Sequence, residues 1–381
     1  MKRIRDAANI IMGTSPRGHT YNNIGEGLPL LNGPTEFGES YPECTLFTTA
    51  SVKECSAGDL IFCVRGSTTG RMNWADKTYS LGRGVCAIRG ETEYDTKYIR
   101  YCLDFHLPAL LQLAGGSTFP NLTQDAIKDF EIPFLPNRRA IASILSSYDD
   151  LIENNNRRIK LLEESARLLY QEWFIRLRFP GYEHTRVVDG VPEGWEKKTL
   201  GDLCFEVREI VNPTELEPDT PYIGLEHIPR RSISLDTWSQ AEKVTSTKHK
   251  YIAGDILFGK IRPYFHKVGI AFIDGVASSD AIVIRPISDE LRSLVLLTVS
   301  SDGFVAVASK TAREGSKMPR ADWKLMKEYH VPLPPEGMLE VFSETIEPIV
   351  EQLKLLVFQN QKLKAARDIL LPRLMSGEIA V

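Results

Sequence analysis

The sequence predicts an α+β protein. Two tandem mixed α/β domains are separated by two long helices that pack as an antiparallel coiled coil, and the whole forms a pseudo-twofold repeat. Three observations predict this. The chain has 381 residues, beyond the roughly 100–200 of one domain. Its halves repeat each other, and each half ends in a long apolar ladder of helical period.

The repeat comes first. Ala57-Gly58-Asp59-Leu60-Ile61-Phe62 returns as Ala253-Gly254-Asp255-Ile256-Leu257-Phe258, an offset of 196 that also carries Ile4-Arg5-Asp6 onto Leu200-Gly201-Asp202. Gly116-Ser117-Thr118-Phe119-Pro120-Asn121 returns as Gly315-Ser316-Lys317-Met318-Pro319-Arg320 at an offset of 199, shared by Ile132-Pro133-Phe134-Leu135-Pro136 and Val331-Pro332-Leu333-Pro334-Pro335. A period near 200 is too long for a solenoid and means two copies of a domain.

The helices follow each copy. Ile141, Leu145, Tyr148, Ile152, Asn155, Ile159, Leu162, Ala166, Leu169 and Trp173 step by four and three, as do Phe342, Ile346, Ile349, Leu353, Leu356, Asn360, Leu363, Arg367 and Leu370. That spacing is a coiled-coil seam. Asn155 and Asn360 are either partly exposed or fix the register, the attested use of a seam asparagine. Pro348 is expected to kink or interrupt the second ladder, and Pro372 with Gly377 to end it. Between the copies, turn formers from Phe179-Pro180-Gly181 to Val191-Pro192-Glu193-Gly194-Trp195-Glu196 read as a linker. The plan is a first domain over 1–136, a helix over 137–178, a linker over 179–197, a second domain over 198–335, a helix over 336–376 and a tail over 377–381. Within the domains, 60–64, 85–88, 255–258 and 281–284 read as strands; 98–114 and 290–309 have helical spacing.

Composition narrows the function. Forty-six basic and 50 acidic side chains leave a net charge of −4, which excludes a uniformly basic nucleic-acid coat and an acidic disordered tail. No apolar run approaches the ~20 residues of a membrane span, and Met1-Lys2-Arg3-Ile4-Arg5-Asp6 opens no secretory signal. Cys44, Cys55, Cys63, Cys86, Cys102 and Cys204 form no C-x-x-C pair, so they read as idle thiols of a cytoplasmic protein. No metal site is expected, since the spacing of a zinc ribbon and of H-E-x-x-H are both lacking.

Charge is local. Residues 60–89 hold five basic side chains (Arg65, Arg71, Lys77, Arg83, Arg89) against Asp76 alone. Residues 229–267 hold eight against three, and 309–327 hold six against two. Such segments are either solvated faces or duplex-facing patches, since phosphate neutralisation needs local positive charge. Arg65-Gly66-Ser67-Thr68-Thr69-Gly70-Arg71 follows a strand and offers forked donors that can grip guanine, with hydroxyls suited to phosphates or base edges. The matching loop of the second copy is Gly259-Lys260-Ile261-Arg262-Pro263-Tyr264-Phe265-His266-Lys267. The candidate DNA contacts are Arg17, His19, Arg65, Ser67, Thr68, Thr69, Arg71, Ser117, Thr118 and Asn121 in the first copy. In the second they are Lys260, Arg262, Tyr264, Lys267, Lys310, Arg313, Lys317 and Arg320, the last four on a loop feeding a helix at Ala321. The 32 steps from Ile141 to Trp173 span roughly 48 Å of helix, about 14 base pairs at ~3.4 Å each.

With these residues on the page, the chain resembles the specificity subunit of type I restriction–modification systems over essentially its whole length. The marks are the linker Val191-Pro192-Glu193-Gly194-Trp195-Glu196, the paired Gly-Asp-Leu/Ile strand openings, the Gly-Ser-x-x-Pro loops and Leu370-Leu371-Pro372-Arg373-Leu374-Met375-Ser376-Gly377-Glu378-Ile379. One departure is that Asn137-Arg138-Arg139 and Glu336-Gly337-Met338 replace the usual Glu-Gln opening of the conserved helix. The resemblance implies two target-recognition domains, each reading one half of an asymmetric bipartite DNA site. It implies helices that set the unread spacer, and as partners two adenine-methylating modification subunits and translocating restriction subunits. S-adenosylmethionine, ATP and Mg²⁺ would belong to those partners.

The chain itself is expected to be non-catalytic. It has no Asn/Asp-Pro-Pro-aromatic motif, no G-x-x-x-x-G-K-[ST] loop and no G-x-G-x-x-G strand–turn–helix site. Asp59 and Asp255 match each other, yet both sit in Ala-Gly-Asp turns, where a capping role is expected. The rivals are a self-contained restriction enzyme, a specificity module of another methyltransferase or nuclease assembly, and a bivalent coiled-coil scaffold that binds no DNA.

Overall fold

A computed structural model describes residues 1–115, 120–311 and 318–381. The chain folds as two compact units, residues 1–153 with 362–381 and residues 154–361. Each unit therefore holds one globular head and a stretch of both long helices.

In the first unit the labelled strands are β1 (Ala8–Met12), β2 (Leu28–Leu31), β3 (Leu60–Cys63), β4 (Met72–Trp74), β5 (Tyr79–Leu81) and β6 (Val85–Gly90). A four-stranded antiparallel sheet has the order β1-β6-β3-β4. Every residue of β3 is fully buried, which explains its unbroken apolar run. A five-stranded sheet joins β2 and β5 in parallel, with Tyr21–Asn22 and Phe47–Thr48 beyond β2 and Glu54–Cys55 beyond β5. Helix α1 (Glu93–Gln112) starts five residues before the apolar spacing predicts, because the Thr92 hydroxyl accepts the Asp95 N–H at 3.2 Å and caps it. The long helix α2 (Arg138–Tyr170) follows, ending in a π-turn over Gln171–Ile175.

The second unit repeats the plan with β7 (Cys204–Val207), β8 (Pro221–Ile223), β9 (Ile256–Gly259), β10 (Val268–Ile270), β11 (Gly275–Ala277) and β12 (Ala281–Pro286). Its four-stranded order is β7-β12-β9-β10, strand for strand that of the first unit. Its five-stranded sheet again pairs β8 and β11 in parallel. The extra edge strand has changed sides: Ile210–Val211 extends the β11 side, through Lys248–Tyr251, whereas Tyr21–Asn22 extends the β2 side. The predicted helix over 290–309 is broken. Helices α3 (Arg292–Val299) and α4 (Asp302–Lys310) meet at 68°, since Ser300 ends one and the Ser301 hydroxyl caps the next. The helix expected at Ala321 starts at Trp323, where the Asp322 carboxylate accepts the Lys324 N–H at 3.0 Å.

The last helix, α5 (Glu336–Met375), runs unbroken through one of its two prolines and past the other. Pro348 does not interrupt it. Its ring and the Glu344 carbonyl it leaves without an N–H lie on the exposed side, where water can satisfy that carbonyl. Phe342, Ile346, Val350 and Leu353 hold the opposite side in the core, and their burial outweighs the roughly 3 kcal/mol of a mid-helix proline. The helix ends within the Pro372–Gly377 stretch expected to close it, running on past Pro372 to Met375 and stopping at Gly377, whose φ is +76°.

Within each unit the two helices run antiparallel. In the second, Asn155 meets Asn360 while Trp173 packs on Phe342 with ring centroids 5.3 Å apart. In the first, the Arg367 guanidinium donates to Asp149 at 2.6 Å and Asn137 donates to the Val381 carbonyl at 3.1 Å. Every predicted seam residue is buried or half-buried. The stretch read as a linker is packed down: Phe179 and Trp195 are buried in the second core with rings 4.7 Å apart, and a small hairpin pairs Val187–Val188 with Val191–Pro192. Among the described residues no single helix is long and apolar enough to cross a membrane.

Candidate nucleic-acid interface

Each head presents a loop directly after its central buried strand. In the first head, residues 65–71 leave β3 and are held against residues 120–122. Gly66 N–H donates to the Pro120 carbonyl at 3.2 Å, Leu122 N–H donates to the Val64 carbonyl at 2.9 Å, and Gly70 N–H returns to the Cys63 carbonyl at 2.9 Å. The Arg65 Nε–H donates to the Asn121 side chain at 3.1 Å. The Thr69 hydroxyl lies 2.8 Å from the Gly66 carbonyl and 3.0 Å from that of Pro120, so its proton is used inside the loop. Ser67 is exposed and Thr68 half-buried. Arg71 is exposed, 3.5 Å from the Pro34 carbonyl and over the Phe37 ring. A concavity of about 730 Å³ opens beside this loop, lined among others by Ser15, Tyr21, Asn32, Arg65 and Arg83. Arg17 and His19, both exposed, flank Gly18 on its rim. Ser117 and Thr118 lie outside the described residues.

The second head uses the same stitching. Arg262 N–H donates to the Pro319 carbonyl at 2.8 Å and Ala321 N–H to the Lys260 carbonyl at 2.9 Å, the repeat equivalents of two bonds just named. The side chains differ. Where Arg65 faces Asn121, Ile261 faces Arg320, and Arg320 pairs with Asp280 at 3.3 Å. Arg262 and His266 adopt left-handed backbone at φ +49° and +53°, a conformation costly for such residues and held here by the loop's bonds. Tyr264 is exposed and edge-on to Phe265, over whose ring Arg230 sits at 4.1 Å. Lys260 is half-buried, and Lys310 exposed at the end of α4. Lys267 is turned inward: its ammonium donates to the Leu225 carbonyl, and burial pushes its pKa down. Arg313 and Lys317 lie outside the described residues.

Three groups escaped the sequence reading. Arg89, counted there as local positive charge, is bound to Asp59 at 2.6 and 2.7 Å. Its repeat equivalent Arg285 grips Asp255 at 2.7 and 2.8 Å. Both aspartates are buried and each also accepts an N–H of its own turn, from Ser56 and Ile252. Second, His266 is buried, with Nε2 2.7 Å from the Ser300 carbonyl, which anchors the 260–267 loop to the α3–α4 corner. Burial lowers its pKa. Third, the buried carboxylate of Glu163 on α2 accepts at one oxygen from the Ser232 hydroxyl, the Ile233 and Ser234 N–H groups and the Ser234 hydroxyl, at 2.7–3.1 Å. It fastens the second head to the helix. The nearest signal was a glutamate beside a seam leucine, which fits any solvated helix face.

Other chemistry is sparse. Among the described residues no group of three or more His, Cys, Asp or Glu is placed to hold a metal ion. All six thiols are free; burial pushes Cys44 up to about 12 and Cys55 to about 11, far from a reactive thiolate.

Known proteins share this plan. The model of the type I restriction modification DNA specificity domain matches residues 1–164 and again 192–364. The type I restriction enzyme MjaIX specificity subunit of Methanocaldococcus jannaschii is 23% identical over 415 residues, covering 100% of this chain and 93% of that one. The putative MjaX specificity subunit of the same organism is 34% identical over 161 residues, 42% of this chain and only 38% of the relative. The crystal structure of an S subunit from M. genitalium shares the fold, with a TM-score of 0.60 at 18% identity, covering 98% of this chain and 95% of that one. With two copies of the domain matched in one chain, at the two heads built above, the protein belongs to the family of type I restriction–modification DNA specificity subunits.

Proposed function

We propose that the chain reads a bipartite, asymmetric DNA site, one half by each head, with the paired helices setting the length of the unread spacer. In this reading it directs adenine methylation, or ATP-dependent restriction, by partner subunits and is itself non-catalytic. One observation carries the reading: the two heads share a stitched loop frame but mount different side chains on it, Arg65 with Asn121 against Ile261 with Arg320. A common frame with divergent donors is what two readers of unlike sequences require, because base edges are distinguished by donor and acceptor pattern. Two modification subunits would supply S-adenosylmethionine chemistry, and restriction subunits the ATP- and Mg²⁺-dependent translocation, in the cytoplasm. Sequencing methylated adenines in a host carrying this chain with its modification subunit tests the reading. Two short specified halves around a fixed unspecified gap are expected; a continuous symmetric motif overturns it.

A further inference from the structure

The turn joining β5 to β6 is built more firmly than a hairpin turn needs to be. Gly82 N–H donates to the Leu31 carbonyl at 2.7 Å and Gly84 N–H to that of Asn32 at 3.1 Å. The Gly84 carbonyl in turn accepts the Val64 N–H at 2.9 Å, and Thr14 N–H reaches the Leu81 carbonyl at 2.8 Å. The contacts are close enough that a Cβ on Gly82 would lie 2.5 Å from the Asn32 side chain, and one on Gly84 2.3 Å from the Asn32 carbonyl. Only glycine fits on either side, so the residue between them is pinned at the surface.

That residue is Arg83. Its backbone N–H and its Nε–H both donate to the Ser15 hydroxyl oxygen, at 3.2 and 3.3 Å. Its terminal nitrogens have no partner among the described residues. Arg65, on the same concavity, is held likewise through Nε by Asn121. Each guanidinium is thus steadied at its inner nitrogen, with its outer edge open to the concavity. A planar fork held on a rigid mount matches the paired N7 and O6 acceptors of guanine as well as paired phosphate oxygens; a fork present in one head and lacking in the other points to the base, since both heads meet the same backbone.

The second head supplies an internal control. Its equivalent turn shares part of the stitching: Ser278 N–H donates to the Ile223 carbonyl at 2.9 Å and Lys260 N–H to that of Asp280 at 2.8 Å, whereas the Asp280 N–H donates to the Ser278 hydroxyl at 3.2 Å. Yet Ser279 and Asp280 stand where the first head has Arg83 and Gly84. The frame of the turn belongs to the fold; the two glycines that pin it and the fork between them belong to the first head alone.

We infer that Arg83 is a specificity-determining residue of the first head, reading a guanine in one half-site with Ser15 as its positioning residue. The inference rests on the reading of the chain as a two-headed DNA reader and names the base class one head takes. The test uses the complex with its modification subunits and a duplex carrying the motif found by methylome sequencing. Arg83→Ala lowers affinity for that duplex roughly 5- to 150-fold, the range for one bidentate base contact. It abolishes discrimination at a single G·C pair, in one half only. Replacing that guanine by 7-deazaguanine, which lacks the N7 acceptor, weakens the wild-type complex and leaves Arg83→Ala unaffected. Arg83→Gln, which removes both the charge and the fork, shows the same relaxed position, whereas Arg83→Lys, whose ammonium can still donate to N7 and O6, keeps part of the preference. Ser15→Ala relaxes it in part, and Ser15→Thr restores it.

Loss spread evenly over all base pairs would make Arg83 a phosphate contact and overturn the inference, as would the absence of any G·C pair from the half whose reading Arg83→Ala disturbs. Either result leaves the bipartite reading standing. A wild-type complex with no duplex affinity would overturn both.

Discussion

Asn155 donates its amide N–H to the Asn360 side-chain oxygen at 3.0 Å across the paired helices of the second unit, both residues buried. The Asn360 amide in turn donates to Asn156 at 2.6 Å. A hydrogen-bonded pair in an otherwise apolar seam costs stability relative to leucine, and holds one register, because any slip would bury an amide without a partner. Asn155→Ala should cost about 1–3 kcal/mol in denaturant unfolding, since it strands its partner. The double variant Asn155→Leu with Asn360→Leu should be neutral or more stable, and the complex assembled on it should methylate sites of mixed spacer length. A double variant that keeps one spacer length would show that the register is set elsewhere.

The repeat, the long helices and the buried strands were legible in the sequence because each has a period or an offset that chemistry imposes locally. Asp59 was legible as a turn residue for the same reason. Its bond to Arg89 was not, because the partner is 30 positions away on a neighbouring strand and looks, in sequence, like any other basic side chain. Pro348 misled because the cost of a proline can be read from sequence, whereas the side of the helix it falls on, and the packing that outweighs it, are tertiary. Of the candidate contacts, Arg65 and Asn121 lie 56 positions apart in the chain and the fold joins them. Lys267 was named on charge and the fold turns it inward.

Arg65 and Arg71 mark the first head alone. Replacing both by alanine should degrade reading of one half-site, at ~1–3 kcal/mol for each arginine that contacts a base, and leave discrimination in the other half unchanged. Binding to duplexes with single-pair replacements across both halves checks this. Equal loss in both halves would count against separate readers.

His266 gives the second head a pH dependence. Burial lowers its folded pKa below the ordinary 6.5, with Arg231 and Arg167 adding to the effect and Asp302 and the Ser300 carbonyl opposing it. A depressed histidine contributes stability that is full above its unfolded pKa and is lost as pH falls from there towards the folded value. The recognition loop of the second head should therefore loosen below about pH 6.5, seen as lower amide protection factors, taken against the intrinsic exchange rate at each pH, over residues 262–267. His266→Gln should flatten that dependence, leaving what the half-buried His249 contributes. An unchanged profile in the variant would place the titrating group elsewhere.

Glu163 has the opposite sign. Burial raises its pKa although four donors at one oxygen pull it down, so desolvation of the carboxylate wins. A carboxylate whose folded pKa lies above the unfolded value binds its proton more tightly when folded. Its contribution to stability is largest below pH 4.5 and is lost as pH rises through the raised value. Glutamine keeps the accepting oxygen without the charge. Glu163→Gln should thus retain all four bonds, remove this pH dependence and leave the protein as stable as the wild type, or more so, at pH 7. Glu163→Ala should lose the bonds and cost about 2–4 kcal/mol, since buried donors are left unpaired. Denaturant unfolding from pH 4 to 8 separates these outcomes. If glutamine proved as damaging as alanine at pH 7, the charge itself would be what fastens the head to the helix.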